Sequence, residues 1–263
     1  MLKFYSLFSG SSGNSSLIET DNCKILIDAG ESAKKIVSAL SLINVDISQI
    51  NAILVTHEHS DHIKGLGTLS KKYNIHVYAN LETWNAMPEQ KNKILLDNQN
   101  TFVINKSFEI KDLTLNTFSI PHDAANPCGY NIFHKDKKIS IATDLGHITP
   151  EVYHSLEKSS FILLESNYDP NILKYSKYPF YLKERISGPE GHLSNETAGN
   201  LISSLTKSGL KSVLLGHLSH ENNFPELAYK TVAESLINNH IDESNISIQV
   251  AKRNEPSKFI DIL

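Results

Sequence analysis

The stretch Ala52-Ile53-Leu54-Val55-Thr56-His57-Glu58-His59-Ser60-Asp61-His62 runs from a short apolar strand directly into a hexad with four metal-ligating side chains. A loop leaving a strand end can send His57 and His59 to one ion and bend so that Asp61 and His62 meet a second. Imidazole and carboxylate donors suit Zn²⁺, Mn²⁺ or Fe, and a hexad without thiolates argues against a purely structural zinc site. The two cysteines, Cys23 and Cys128, match no zinc–cysteine spacing and cannot staple a chain of 263 residues. Histidine is the informative count: twelve, most of them in a few short clusters, against two arginines.

Four more candidate ligands or supports occur where other apolar stretches end. They are Asp28 in Ile27-Asp28-Ala29-Gly30, His122 in Ile120-Pro121-His122-Asp123, Asp144 in Thr143-Asp144-Leu145-Gly146 and His217 in Gly216-His217-Leu218-Ser219. Any one of them alone reads as a capping Asp or a satisfied histidine. Together with the hexad they form an ordered set at matching strand ends.

Around these residues the N-terminal part reads as strands at Leu2–Leu7, Ser16–Glu19 and Lys24–Ile27, then a helix at Ser32–Leu42 capped by Ser32. Helices are expected at Ile63–Tyr73 and Leu81–Met87. Antiparallel strands are expected through Phe102–Ile120, and a hairpin of Tyr130–His134 with Lys138–Ala142. From Pro150 the pattern alternates: helix Pro150–Leu156, strand Phe161–Glu165, helix Ser194–Lys207 ending at Gly209, strand Ser212–Leu215, helix Pro225–Asn238 and strand Ile246–Val250. Antiparallel sheet followed by strand–helix units fits an α/β (α+β) fold of two packed sheets with helices outside, a four-layer αββα sandwich.

With no linker, repeat or low-complexity tract, a single domain over residues 1–263 is expected. No apolar run approaches the ~20 residues of a membrane span, and Met1–Phe8 is too short for a signal peptide. The expected protein is soluble and cytoplasmic, with no membrane partner. A net charge of −4 excludes a surface coated with cations while leaving room for a local basic groove.

The ordered set resembles the metallo-β-lactamase superfamily. That resemblance implies two divalent metal ions, Zn or Mn with Fe also accommodated. One would be held by His57, His59 and His122, the other by Asp61, His62 and His217, with Asp144 bridging and Asp28 hydrogen-bonded behind the ligand loop. It also implies a hydroxide between the ions as nucleophile. The segments Glu165-Ser166-Asn167-Tyr168-Asp169 and Gly191-His192-Leu193-Ser194-Asn195 resemble RNase Z-type nucleases, which implies that Glu165 orients His192 as the general acid for the leaving oxygen.

Six segments between residues 9 and 223 further resemble the YycJ/WalJ-type hydrolases: Ser9–Ser15, His57–Gly65, Pro121–Tyr130, Thr143–His147, Gly191–Asn195 and Gly216–Asn223. This implies a 5′-to-3′ exonuclease on single-stranded DNA, with DNA preferred to RNA. The runner-up functions are hydrolysis of a small-molecule ester, lactone or thioester, and RNA processing.

Two segments are candidates for substrate contact. Tyr168–Arg185 interleaves five aromatics with Lys174, Lys177, Lys183 and Arg185, so Tyr168 and Lys177 are candidate nucleic-acid contacts; the segment reads equally as a partly buried Tyr/Pro loop. Gly10–Ser15, with Ser12 and Asn14, can offer backbone N–H groups to a terminal phosphate or make a tight turn between strands.

Overall fold

The computed structural model describes residues 1–257 and 260–262. In chain order the elements are β1 (Lys3–Phe8), β2 (Ser15–Glu19), β3 (Lys24–Ile27), α1 (Ala33–Leu42), β4 (Ala52–Leu54), α2 (Ser60–Ile63), α3 (Leu66–Tyr73), β5 (His76–Asn80), α4 (Leu81–Ala86), α5 (Pro88–Lys91), β6 (Gln99–Phe102), β7 (Phe108–Ile110) and β8 (Leu113–Ser119). They continue with β9 (Cys128–His134), β10 (Lys137–Ala142), α6 (Pro150–Leu156), β11 (Phe161–Glu165), α7 (Pro170–Tyr175), α8 (Phe180–Ser187), α9 (Asn195–Lys207), β12 (Ser212–Gly216), α10 (Pro225–Asn238), β13 (Ser247–Val250) and β14 (Ile260–Asp261). The strands form two sheets, in the orders β14-β1-β2-β3-β4-β5-β6 and β13-β12-β11-β10-β9-β8-β7.

Two compact units emerge. The first comprises Met1–Thr117, Ala124–Cys128 and the C-terminal residues from Lys252; the second comprises Phe118–Asp123 and Gly129–Ala251.

In the first unit, β1, β2 and β3 run antiparallel, and β3 through β6 run parallel. Alternate strand residues Leu7, Leu17, Leu26, Ile53 and Val77 pack with Ile36 and Leu40 of α1, Leu66 and Leu69 of α3 and Trp84 of α4. Their neighbours Ile18, Ile25, Ile27, Ala52 and Leu54 are buried as well. Burial on both faces explains why these strands read as continuous apolar runs rather than alternating ones.

In the second unit β9 and β10 form a hairpin, and β10 to β13 run parallel. Here Ile162, Leu164, Val213 and Leu215 pack with Val152 and Leu156 of α6, Leu201 and Leu205 of α9, and Val232 and Leu236 of α10.

Local chemistry sets most boundaries. The Ser32 side chain accepts from Lys35 N at the start of α1, Ser194 does the same for Thr197 N at α9, and Gly209 leaves α9 with φ +106°. The helix expected at Ile63–Tyr73 is instead α2 and α3, interrupted at Gly65. There the chain presses so closely on the Glu31 carbonyl that a Cβ would overlap it, and Gly65 N donates to Ala29 O at 2.8 Å. Strands β5 and β6 were not expected, nor were α7 and α8 inside Tyr168–Arg185. Among the described residues no helix is long and apolar enough to cross a membrane.

Lys138 of β10 is buried, and its ammonium donates to the carbonyls of Ser155 (2.6 Å) and Glu157 (2.8 Å) at the end of α6. Burial pulls its pKa down to about 8, with Glu157 pulling weakly the other way. Between about pH 8 and 10.5 the unfolded chain therefore holds more protons here than the folded one, and stability from this group rises with pH over that window. Urea unfolding of the parent minus that of Lys138→Met, taken from pH 7.5 to 10.5, is expected to rise with pH. A flat difference would show that the amine is not desolvated.

Candidate metal centre

The ligand loop follows β4. Its histidines sit in the first unit with ring centroids 4.6 Å apart for His57–His59 and 4.1 Å for His57–His62, and Asp61 Oδ2 lies 3.5 Å from His62 Nε2. Asp28, just past the end of β3, is buried and organises this loop. Its Oδ2 accepts from His62 Nδ1 (2.8 Å) and from the Thr56 hydroxyl (2.9 Å), while Oδ1 accepts from Thr56 N (2.8 Å). His57 Nδ1 lies 3.0 Å from the Thr56 hydroxyl, to which it donates. With Nδ1–H committed, each ring keeps its lone pair at Nε2, the tautomer a metal requires. Burial raises the Asp28 carboxyl above its ordinary value, against the opposing pull of His62 and the Thr56 donors.

The Gly10–Ser15 turn abuts the same loop. Asn14 N donates to Asp61 O at 2.8 Å, Asn14 Nδ2 reaches Asp61 Oδ2 at 3.2 Å and His62 Nε2 at 3.1 Å, and Gly10 N donates back to Asn14 Oδ1 at 2.9 Å. Asn14 is thus buried against the ligands, while Ser12 is exposed. Gly30 lies between them: a Cβ there would overlap the Asp61 carbonyl.

The second unit gathers His122, Asp144, Glu165, His192 and His217. Donor atoms of Asp144, Glu165, His192 and His217 all lie within 4.8 Å of one another. Glu165, at the end of β11 and fully buried, is their hub. Oε1 accepts from His192 Nδ1 (2.9 Å) and His217 Nδ1 (2.7 Å); Oε2 accepts from the backbone N–H groups of Leu145 and Leu193, each at 2.9 Å. Burial alone would raise its pKa, but His192 and then His217 hold the carboxyl well below the usual carboxylate range.

His122 Nδ1 donates to Gly191 O (3.1 Å), and its Nε2 lies 3.7 Å from Asp144 Oδ1. Here too every ring is held at Nδ1 and offers Nε2. Glu165 is entirely shielded from solvent, whereas the His192 side chain stays 15% exposed, so a reacting group can reach His192 and not its partner.

Three of these residues leave their strands in the left-handed backbone region: Asp28 (φ +63°), Asp144 (φ +60°) and His217 (φ +54°). Asp and His are among the side chains that enter this region most readily, and the turn redirects the chain at the strand end. Sequence reasoning missed Thr56, Asn167 and the amide pair Asn195–Asn223. Asn167 Nδ2 donates to His217 O (2.7 Å), and the Asn195 and Asn223 side chains exchange hydrogen bonds of 3.0 and 2.8 Å beneath it. The only signal was Glu221-Asn222-Asn223 running on from the His217 segment.

An all-nitrogen-and-oxygen donor set of imidazoles and carboxylates, mostly buried and with five of its rings held at Nδ1, is that of a divalent-metal centre. A family model described as the beta-lactamase superfamily domain matches residues 24–217, a span that includes residues of both units. The chain belongs to the metallo-β-lactamase superfamily. Its fold, the αββα architecture expected from the sequence, is the fold of that family, and it is a hydrolytic enzyme.

Over 236 residues the chain is 40% identical to Exodeoxyribonuclease WalJ of Streptococcus pneumoniae, covering 89% of this chain and 88% of that protein. Over 235 residues it is 37% identical to Exodeoxyribonuclease YycJ of Bacillus anthracis, covering 89% of each. Among solved structures, Zn²⁺-bound PqqB of Methylobacterium extorquens shares the fold with a TM-score of 0.72 at 15% identity, covering 97% of this chain and 99% of that one.

Gly30→Ala is expected to lower stability by about 1–3 kcal/mol, as overpacking against backbone does. It should also displace the Asp61 carbonyl and weaken metal uptake. Urea unfolding together with a metal titration checks this; uptake equal to the parent's would show that the Asn14–Gly30–Asp61 clamp does not set the ligand loop.

Proposed function

We propose that this chain is a metal-dependent phosphodiesterase that removes nucleotides from single-stranded DNA in the 5′-to-3′ direction. In this reading residues 1–263 act as a single domain; His57, His59 and His122 would hold one divalent ion, Asp61, His62 and His217 another, and Asp144 would serve both. Its supports are the continuous family match through residues 24–217 and the two exodeoxyribonucleases matched over most of their lengths. A bound pair of divalent ions, Zn or Mn, would supply Lewis acidity and a nucleophile at neutral pH.

The remaining steps fall to the chain's own groups. His192 is the general acid. Glu165 fixes its Nδ1 at 2.9 Å, which points Nε2 outward, and a carboxylate that stays ionised stabilises the protonated imidazole. From Nε2 the proton passes to the leaving oxygen of the phosphodiester. This is the observation that carries the reading, because the alkoxide expelled from a phosphodiester needs a proton far more than the thiolate expelled from a thioester does. Glu165 also holds His217 by the same oxygen, so acid and ligand share one support. Asn14 steadies the ligand loop, and Ser12, on the exposed rim of the same turn, faces the phosphate; Lys177 contacts the substrate strand, whereas Tyr168, expected from the sequence as a second contact, is buried with Leu173 and Ile186 and supports that surface from beneath.

Activity is best followed with 5′-phosphorylated single-stranded DNA, end- and internally labelled, in Mn²⁺ and then Zn²⁺. Progressive nucleotide release from the 5′ end is expected. His192→Ala should lower turnover by ~10²–10⁴ with metal content unchanged, whereas Asp144→Ala should lose metal as well. A two-metal protein that leaves DNA intact, or a His192→Ala variant at full rate, would refute the assignment.

A further inference from the structure

Between Glu165 and His192 the chain builds α7 and α8, which share a small apolar cluster of their own. Tyr168, Leu173 and Ile186 are buried in it, with Tyr178 and Leu182 packed alongside. Polar clamps hold the pair together. Asp169 Oδ1 accepts from Asn171 N and Ile172 N at 2.9 Å each, and Lys183 Nζ donates to the carbonyls of Lys174 (2.7 Å) and Ser176 (2.8 Å) where α7 ends. The aromatics that do not enter the cluster face solvent: Tyr175, Phe180 and Tyr181 are 78%, 74% and 72% exposed. Three large rings in seven residues, on helices fixed by their own packing, are an apolar surface that folding alone does not require.

The charge around these rings fits a polyanion. Lys174 and Lys177 are exposed, and the Lys174 ammonium lies 5.5 Å from the Tyr175 ring centroid. Counting Lys174, Lys177, Lys183 and Arg185 against Asp169 and Glu184, residues 168–185 carry a net charge of +2 (four minus two) in a chain of net −4. A groove of about 430 Å³ is lined by Tyr168, Lys174, Phe180, Lys183 and Glu184, two cations against one carboxylate.

The surface is also mechanically joined to the acid. His192 N donates to Ile186 O in α8 at 2.9 Å, and a Cβ on Gly191 would overlap the carbonyls of Arg185 and Ile186. Arg185 grips Asp123, beside His122, with bonds of 2.6 and 3.1 Å. A strand held on α8 is therefore held in register with His192.

We propose that α7 and α8 form a platform for single-stranded DNA, away from the bond being cut. Unpaired bases stack on Tyr175, Phe180 and Tyr181, and phosphates meet Lys174, Lys177 and Lys183. Stacking on exposed rings requires bases free of a partner, which selects single strands over duplex and is indifferent to sequence. The inference rests on the phosphodiesterase reading and deepens it by locating where the strand is gripped.

The test uses the metal-loaded full chain, a dT20 oligonucleotide, the same sequence as a duplex and as RNA, and the small diester bis(p-nitrophenyl) phosphate. The exposed rings are replaced together in Tyr175→Ala/Phe180→Ala/Tyr181→Ala, with Phe180→Tyr as the conservative variant; circular dichroism confirms folding. The triple variant should bind dT20 about 100-fold or more weakly by fluorescence anisotropy and show a matching rise in KM, with hydrolysis of the small diester unchanged. Phe180→Tyr should retain affinity. Parent-like binding of dT20 by the triple variant overturns the platform, as does an equal loss on duplex or a loss confined to RNA. If the parent itself hydrolyses the small diester but neither binds nor cleaves dT20, the nuclease reading fails with it, an outcome visible before any variant is made.

Discussion

Two carboxylates buried at strand ends determine what four nearby histidines can do. Glu165 holds two rings by Nδ1 from a single oxygen and takes two backbone N–H groups on the other; Asp28 holds His62 directly and His57 through the Thr56 hydroxyl. In each case the consequence is the same. A ring that has given its Nδ1 proton to a fixed acceptor has only Nε2 left for other chemistry, and cannot rotate away without stranding a buried charge. The two supports differ in balance. Burial dominates at Asp28 and raises its carboxyl, whereas two histidines outweigh burial at Glu165 and lower it. Glu165 is thereby the better support for an imidazole that must be protonated at some stage, and Asp28 the better support for rings that stay neutral.

That division follows from where the residues lie on their sheets. Asp28, Asp144 and His217 each turn out of a buried parallel strand through a left-handed residue, which brings the following chain across the strand ends instead of onward. Strands buried on both faces leave little room for carboxylates and imidazoles along their length, and at their ends such a side chain meets polar partners instead of aliphatic packing.

The sequence carried the ligand chemistry better than the supports. The hexad from His57 to His62 could be picked out directly, because several ligating side chains in short order seldom have another use; the Asp and His residues at strand ends gained meaning only in its company, and the Glu165/His192 pair only from a resemblance to RNase Z-type nucleases. Asn14 was read as a loop residue free to meet a phosphate or make a turn; in the structure it is buried against Asp61 and His62. Thr56 gave no signal, and Asn167 and Asn223 only their place inside longer segments, since one hydroxyl or amide carries no periodicity and its role depends on contacts far away in sequence. Strands β5 and β6 were missed for a related reason: His76 and Asn80, and the polar run Gln99–Thr101, dilute the apolar pattern that marked β3 and β4.

The segment from Pro170 to Ser187 was the least legible, and the cause is length. Helices of six and eight residues lie below what propensity alone sustains. They persist through Asp169 capping, the Lys183 clamps and a cluster of a few side chains, none of which forms a stripe in the sequence. Because so much of the aromatic content is left outside that cluster, folding does not account for it. Those rings sit on a segment whose two ends are Glu165 and His192, the pair proposed as the support and the general acid. The His192 N to Ile186 O bond and the close packing of Gly191 tie α8 to the backbone of His192, so a strand engaged on the proposed platform would lie at a fixed distance from the imidazole.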